Sequence, residues 1–218
     1  MPGYRQMLET AGRWAELPGL ERLPAGAALT FDDGPDAEGT PAVLDALDEA
    51  GVRATFFLVG EQLMRNHAIA RDAAARGHEL ALHGFEHVDH DGLRPQAARD
   101  DIARALGSFE AATGRRPRFF RPPYGRFSQA SHEACLHLGM EPVYWSAWGL
   151  DWEPLPAARI AELAVRDLGE GAIVLLHDSA RYGHRPDAAP TAQAVPTIAA
   201  KAAEMGLQLA PVGDLLGA

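Results

Sequence analysis

The chain has 218 residues, 47% of them hydrophobic and 23% charged, with a formal net charge of -10 and one cysteine. This is the composition of an ordinary globular protein with room for one domain and a substantial core. The acidic balance argues against nucleic acid or an anionic membrane surface as a partner, and the single Cys135 excludes an intrachain disulfide or a thiolate metal cluster. No apolar run is long enough to span a bilayer. The first residues, Met1-Pro2-Gly3-Tyr4-Arg5-Gln6, hold no basic region followed by an apolar stretch. The chain as it stands therefore reads as cytoplasmic, and as secreted or cell-envelope if a leader has been removed.

Residues 1–25 read as a helix (2–17) and a loop packed on the domain formed by 26–218. From there, short β-rich runs alternate with helical patterns. Strands are expected at 27–31, 53–59, 78–82, 118–121, 142–146, 172–176 and 207–212. Helices are expected at 41–50, 61–76, 95–113, 128–138, 157–168 and 191–205. Gly51, Gly77, Gly114, Gly139 and Gly206 close several of them, and Thr40-Pro41 and Arg94-Pro95 read as helix starts. Strands alternating with helices mean parallel βα units. Seven of them fit a closed or nearly closed α/β barrel, with an open doubly wound sheet as the alternative. No glycine-rich phosphate loop of either common kind occurs. Residues 183–190, rich in Pro, Asp, His and Arg, read as a mobile loop.

Parallel α/β folds place their sites where strands end. After the first strand comes Thr30-Phe31-Asp32-Asp33-Gly34-Pro35, two carboxylates at the tip of an apolar run. Neighbouring strand residues face opposite ways, but a turning backbone lets both reach one cleft, one for a metal and one for a proton. After the third comes His83-Gly84-Phe85-Glu86-His87, with histidines spaced i, i+4 as on one side of a helical turn. With Asp33 they make a two-His, one-carboxylate set, for which Glu86 and His90 are rival ligands. Zinc accepts such a set, as do cobalt, nickel, manganese and ferrous iron. After the fourth comes Arg121-Pro122-Pro123-Tyr124-Gly125, where Arg121 is expected to point inward and to need a carboxylate partner. The fifth leads to Trp145 and Trp148-Gly149-Leu150-Asp151-Trp152, and the sixth ends at His177-Asp178, with His177 a candidate general acid. Cys135, Asp36, Asp178 and the remaining histidines read as structural or solvated.

Together these motifs resemble the polysaccharide deacetylases of the NodB-homology type, carbohydrate esterase family 4. The resemblance covers about residues 27–212 and rests on T-F-D-D-G-P, H-x-x-x-H, R-P-P-Y-G, D-W and L-L-H in the family's order and spacing. It implies a distorted, TIM-like (β/α)7-8 barrel and metal-dependent removal of acetyl from N-acetylated sugars such as chitin oligomers or peptidoglycan. By motif, Asp32 would be the general base, and Asp33, His83 and His87 would hold one divalent metal ion, zinc first. Arg121 would hold and tune Asp32. The Tyr124 N–H would meet the developing oxyanion. His177 would be the general acid, oriented by Asp151. Trp152 and Leu175 would wall the acetyl pocket, with Pro123 also contacting substrate.

Two positions depart from the family's pattern: Gly84 replaces a Ser or Thr that stabilises the loop, and Trp148 stands where an earlier Asp is often found. The family's usual secretion signal or anchor is not visible in the chain as it stands. Two other readings stay open. One is a deacylase for a small cytoplasmic amide, with Trp145, Trp148 and Trp152 lining an aromatic pocket. The other is a glycan-binding barrel without catalysis.

Overall fold

The computed structural model describes residues 17–217. The helix expected at 2–17 lies outside the described residues, apart from its last position. The order is β1 (Ala27–Asp32), α1 (Thr40–Ala50), β2 (Thr55–Leu58), α2 (Gly60–Ala75), β3 (Glu79–Leu82), α3 (Pro95–Thr113), β4 (Phe119–Phe120), α4 (Gln129–His137), β5 (Glu141–Pro142), β6 (Ala147–Trp148), α5 (Ala157–Arg166), β7 (Ala172–His177), α6 (Ala189–Glu204) and α7 (Val212–Leu215). Single 3-10 turns sit at His90–Gly92 and Pro123–Gly125. No helix among the described residues is long and apolar enough to cross a membrane.

All seven strands run parallel in one sheet, ordered β5-β4-β3-β2-β1-β7-β6. Its two edge strands, β5 and β6, are joined by only four residues, 143–146. Such a link spans at most about 18 Å. In a flat sheet the two edges would stand about 29 Å apart. The sheet must therefore curl, and it forms a half-barrel with helices around it. The expected fold holds, with the sheet left open rather than closed. The segment before β1 covers the opening: Leu20 bridges Val143, and the Leu23 N–H donates to Gly171 O (2.9 Å).

Strand alternation sorts side chains into two cores. Leu29, Phe31, Phe56, Leu58, Leu82, Phe120, Val174 and Leu176 face the helices. Ala28, Phe57, Ala81, Phe119 and Ile173 face inward, joined by Leu23, Val143 and Val212. Asp32, His83, Arg121 and His177 continue the inward series at the strand ends. The register completes the alignment, pairing Asp32 with His177 and Leu82 with Phe120, so that His83 and Arg121 follow side by side.

Two expected strands are corrected. In the run 142–146 only its start pairs with β4, and the rest crosses from one sheet edge to the other before the short, unexpected β6. The run 207–212 makes one bridge, Leu209 to Ala27. Pro211 then removes a donor, and the chain turns into α7. There the N–H groups of Val212 and Gly213 donate to Thr55 Oγ1 (2.9 Å) and Glu79 Oε2 (3.1 Å), plugging the far end of the barrel.

Phe57 is fully buried on the inner face, with the Arg121 guanidinium carbon 4.0 Å from its ring centre. Replacing it by Ala leaves a cavity beneath the site. Phe57→Ala is expected to lower the unfolding free energy by about 3–5 kcal/mol, read by urea denaturation.

Candidate active site

The two carboxylates at the tip of β1 do reach one cleft. Asp32 lies on the inward face. Asp33 follows with φ of +83°, a conformation that costs a non-glycine residue about 1–3 kcal/mol. This turn brings Asp33 Oδ1 to 3.5 Å and Asp32 Oδ2 to 3.8 Å from His83 Nε2. Hydrogen bonds clamp the tip: Gly34 N donates to Asp178 Oδ1 (3.1 Å) and Val59 N to Gly34 O (2.8 Å). Asp178, read from sequence as solvated or structural, is a buried structural group that also accepts from Thr40 Oγ1 (2.5 Å). Burial pushes its carboxyl up to about 7, with the nearby charge of Asp33 acting in the same direction.

His83 and His87 meet with ring centres 5.3 Å apart. They do so across a bend, not the expected helical turn: Gly84 adopts φ of +80° and no helix covers 83–87. Asp101, on α3, holds this bend in place of the missing hydroxyl. It accepts from the N–H groups of Phe85 (2.9 Å) and Glu86 (3.0 Å) and from His90 Nε2 (3.1 Å). The rival ligands are thereby accounted for. His90 is bound to Asp101, and Glu86 is exposed, 3.8 Å from Arg104.

One oxygen of Asp33 and one nitrogen each of His83 and His87 lie within 4.8 Å of one another. The donor set suits a divalent ion. His83 Nδ1 donates to Arg121 O (2.8 Å), which leaves its Nε2 lone pair toward Asp33. Burial holds the His83 imidazole down at about 4, with the neighbouring His87 adding to the effect, so the ring is neutral at pH 7. Asp33 is held well below the usual carboxylate range. Burial alone would raise it, but His87 and the charges of His177 and His83 prevail. His87 Nε2 is 3.2 Å from Asp33 Oδ1 without the alignment of a hydrogen bond. Asp33 Oδ1 is therefore a buried acceptor with no donor, a place that a cation would fill. Tyr182, which sequence reasoning missed, stacks on the His87 ring at 4.2 Å.

Arg121 is fully buried and finds the partner expected of it. Its Nη1 donates to Asp32 Oδ1 (2.7 Å) and Thr30 Oγ1 (2.9 Å). Its Nη2 and Nε donate to the carbonyls of Tyr144 (2.8 Å) and Val143 (3.3 Å). Tyr124 takes φ of +59° in the turn after β4, stacked edge-on against His87 at 4.6 Å. The N–H groups of Gly125 and Arg126 bond the carbonyls of Pro122 and Pro123, while that of Tyr124 has no described acceptor. Pro123 is buried beside Gly84.

Across the cleft, His177 Nδ1 donates to Asp151 Oδ1 (2.9 Å), and the His177 N–H to Asp151 Oδ2 (2.8 Å). Burial would lower the His177 imidazole, but Asp151 outweighs it and pushes the ring up to about 9. Trp152 stands edge-on to that ring at 5.5 Å. Leu175 lies one inward position below His177. Trp148 is only 3% exposed and backs Trp145 and Trp152, at 6.3 and 5.8 Å, so it offers no stacking face of its own. Cys135 is buried and its thiol is pushed up to about 12, which removes it as a nucleophile. The loop expected to be mobile at 183–190 instead contributes Arg185, buried behind Asp151.

A family model described as "Polysaccharide deacetylase" matches residues 22–143. The chain belongs to the polysaccharide deacetylase family. A peptidoglycan-N-acetylglucosamine deacetylase of Bacillus cereus is 32% identical over 217 residues, covering 97% of each chain. A chitooligosaccharide deacetylase of Bradyrhizobium is 36% identical over 151 residues, 69% of each. Among solved structures, a family 4 acetyl xylan esterase of Clostridium thermocellum in complex with a cobalt ion superposes with a TM-score of 0.77 at 31% identity, covering 87% of this chain and 89% of that one. Membership in this deacetylase family makes the chain a glycan-deacetylase-type hydrolase.

Asp101 supports a bend that this deacetylase-family chain builds without a side-chain hydroxyl. Asp101→Ala is expected to cost about 1.5–3 kcal/mol in unfolding free energy, measured by chemical denaturation.

Proposed function

We propose that the protein removes acetyl groups from N-acetylglucosamine units of peptidoglycan or chitin-type glycans with the help of one divalent ion. The observation that carries this reading is the segregation of the two adjacent carboxylates: Asp32 is bound to Arg121, and Asp33 faces His83 and His87. The names of the relatives point to the same substrates.

Asp33, His83 and His87 would hold the ion, zinc first, with cobalt, nickel or manganese as other ions suited to the set. When bound, such an ion polarises a carbonyl and acidifies water. Asp32 takes the proton of the attacking water on Oδ2, the oxygen that Arg121 does not hold. The Tyr124 N–H donates to the oxyanion that develops on the acetamide carbonyl. His177, with Nδ1 fixed by Asp151, gives its Nε2 proton to the amine nitrogen as the C–N bond breaks. Acetate and a free amine result. Trp152 and Leu175 wall the acetyl methyl, and Pro123 borders the sugar.

The test is acetate release from acetylated chitooligosaccharides and peptidoglycan fragments, on chelator-stripped protein with zinc or cobalt restored. Asp32→Asn is expected to lower the rate roughly 10²–10⁴-fold. The pH profile provides a second check. His177 is raised to about 9, so its acid form is present at neutral pH and is lost as pH rises through that value. Asp151→Asn removes the charge that holds the proton, and the alkaline limb is expected to move down toward the ordinary imidazole value. A limb that stays in place in this variant, or metal-loaded protein that releases no acetate, overturns the assignment.

A further inference from the structure

Arg185 has no place in the motifs, yet it is 7% exposed and lies behind Asp151. Its Nη2 donates to the carbonyls of His177 (2.9 Å) and Ser179 (3.0 Å). Its Nη1 donates to Thr191 Oγ1 and lies 3.4 Å from Asp151 Oδ2. Thr191 Oγ1 donates in turn to the same oxygen at 2.6 Å. One guanidinium thus grips the backbone of His177 and, directly and through Thr191, the carboxylate that orients its ring.

We propose that Arg185 is a positioning residue that keeps Asp151 paired after His177 has given up its proton. The inference rests on the roles proposed above for His177 and Asp151. Protonated His177 and Asp151 form a neutral pair. Once the imidazole has lost its proton, Asp151 would remain as a lone anion with no exposure to solvent, which is costly. Arg185 is a fixed cation that pairs with Asp151 in both states, so the proton leaves His177 more readily. The other charged groups around His177 do not supply this. Asp32 and Asp33 on β1 attract the proton, Arg121 is bound to Asp32, and Asp178 is turned to Gly34 and Thr40.

The sign is the opposite of that for the loss of Asp151. Without Arg185 the full carboxylate charge acts on His177, and the imidazole holds its proton more tightly. In zinc-loaded full-length protein, Arg185→Met is expected to move the alkaline limb of kcat up by about one pH unit and to lower the neutral rate roughly tenfold. Thr191→Val is expected to act in the same direction by a smaller amount, with Thr191→Ser restoring the wild-type limb. The His177 imidazole, titrated by 15N NMR in the same zinc-loaded proteins, is expected to shift upward with the limb. A folded Arg185→Met protein whose imidazole titration is unmoved or lower overturns the proposal, even where its melting temperature falls. If Arg185→Met does not fold, an unmoved Thr191→Val titration overturns it equally. If the wild type releases no acetate, the deacetylase reading fails, and the NMR titrations alone decide the role of Arg185.

Discussion

The site is organised by one buried cation. Arg121 reaches across the barrel from the end of β4, and its guanidinium joins Asp32 and Thr30 on β1 to the carbonyls of residues 143 and 144 beyond β5. Its own carbonyl accepts from His83 Nδ1. A guanidinium without solvent is tolerable only when its donors are paired, and here each pairing also fixes something the proposed chemistry needs. Asp32 is oriented, His83 has its tautomer set, and the strand-to-strand crossing at 143–146 is pinned where the sheet must curl. Phe57 beneath the guanidinium and Trp145 at 5.7 Å complete an apolar and aromatic cage around the charge.

That cation explains how the strained tip of β1 persists. A positive φ at Asp33 is unfavourable in isolation. It is imposed from three sides: by Arg121 on Asp32, by Asp178 on the Gly34 N–H, and by Val59 on the Gly34 carbonyl. The gain is a pair of adjacent carboxylates that point the same way, which a regular strand forbids. Asp101 does the corresponding work at the second loop, where Gly84 turns the chain and a carboxylate from α3 substitutes for a local hydroxyl.

Sequence made the strand-end constellation legible because two periodicities agree. Alternation along each strand sets the inward face, and the parallel register sets the height. Asp32, His83, Arg121 and His177 follow from both without any knowledge of distant contacts. Six helices were readable for a similarly local reason, and five of them are closed by a glycine that takes positive φ: Gly51, Gly77, Gly114, Gly139 and Gly206. What escaped was non-local. Two-residue strands such as β6 carry no periodic signal. The run 207–212 has the composition of a strand, yet Pro211 and the open end of the barrel turn it into a plug. Arg185 stands in a loop whose composition signals mobility, and only its contacts with Asp151 and the His177 carbonyl, distant in sequence or made through backbone, give it a fixed place.

Residue type alone does not separate the carboxylates and histidines of this site, but their hydrogen-bond occupancy does. Asp32 accepts from Arg121 on Oδ1 and leaves Oδ2 without a described donor, so it has room for a proton. Asp151 accepts from His177 Nδ1 on one oxygen and from the His177 N–H, Thr191 and Arg185 on the other, so it has none. The one can receive a proton, and the other can only orient a partner. The histidines divide by the same logic. His83 donates to a neutral carbonyl, and burial prevails, leaving a neutral ring held down at about 4. His177 donates to a saturated anion, and the anion prevails, leaving a charged ring at about 9. Environments that push like residues apart in this way suit the roles proposed here, a ligand and an acid from imidazole, and a base and an anchor from carboxylate.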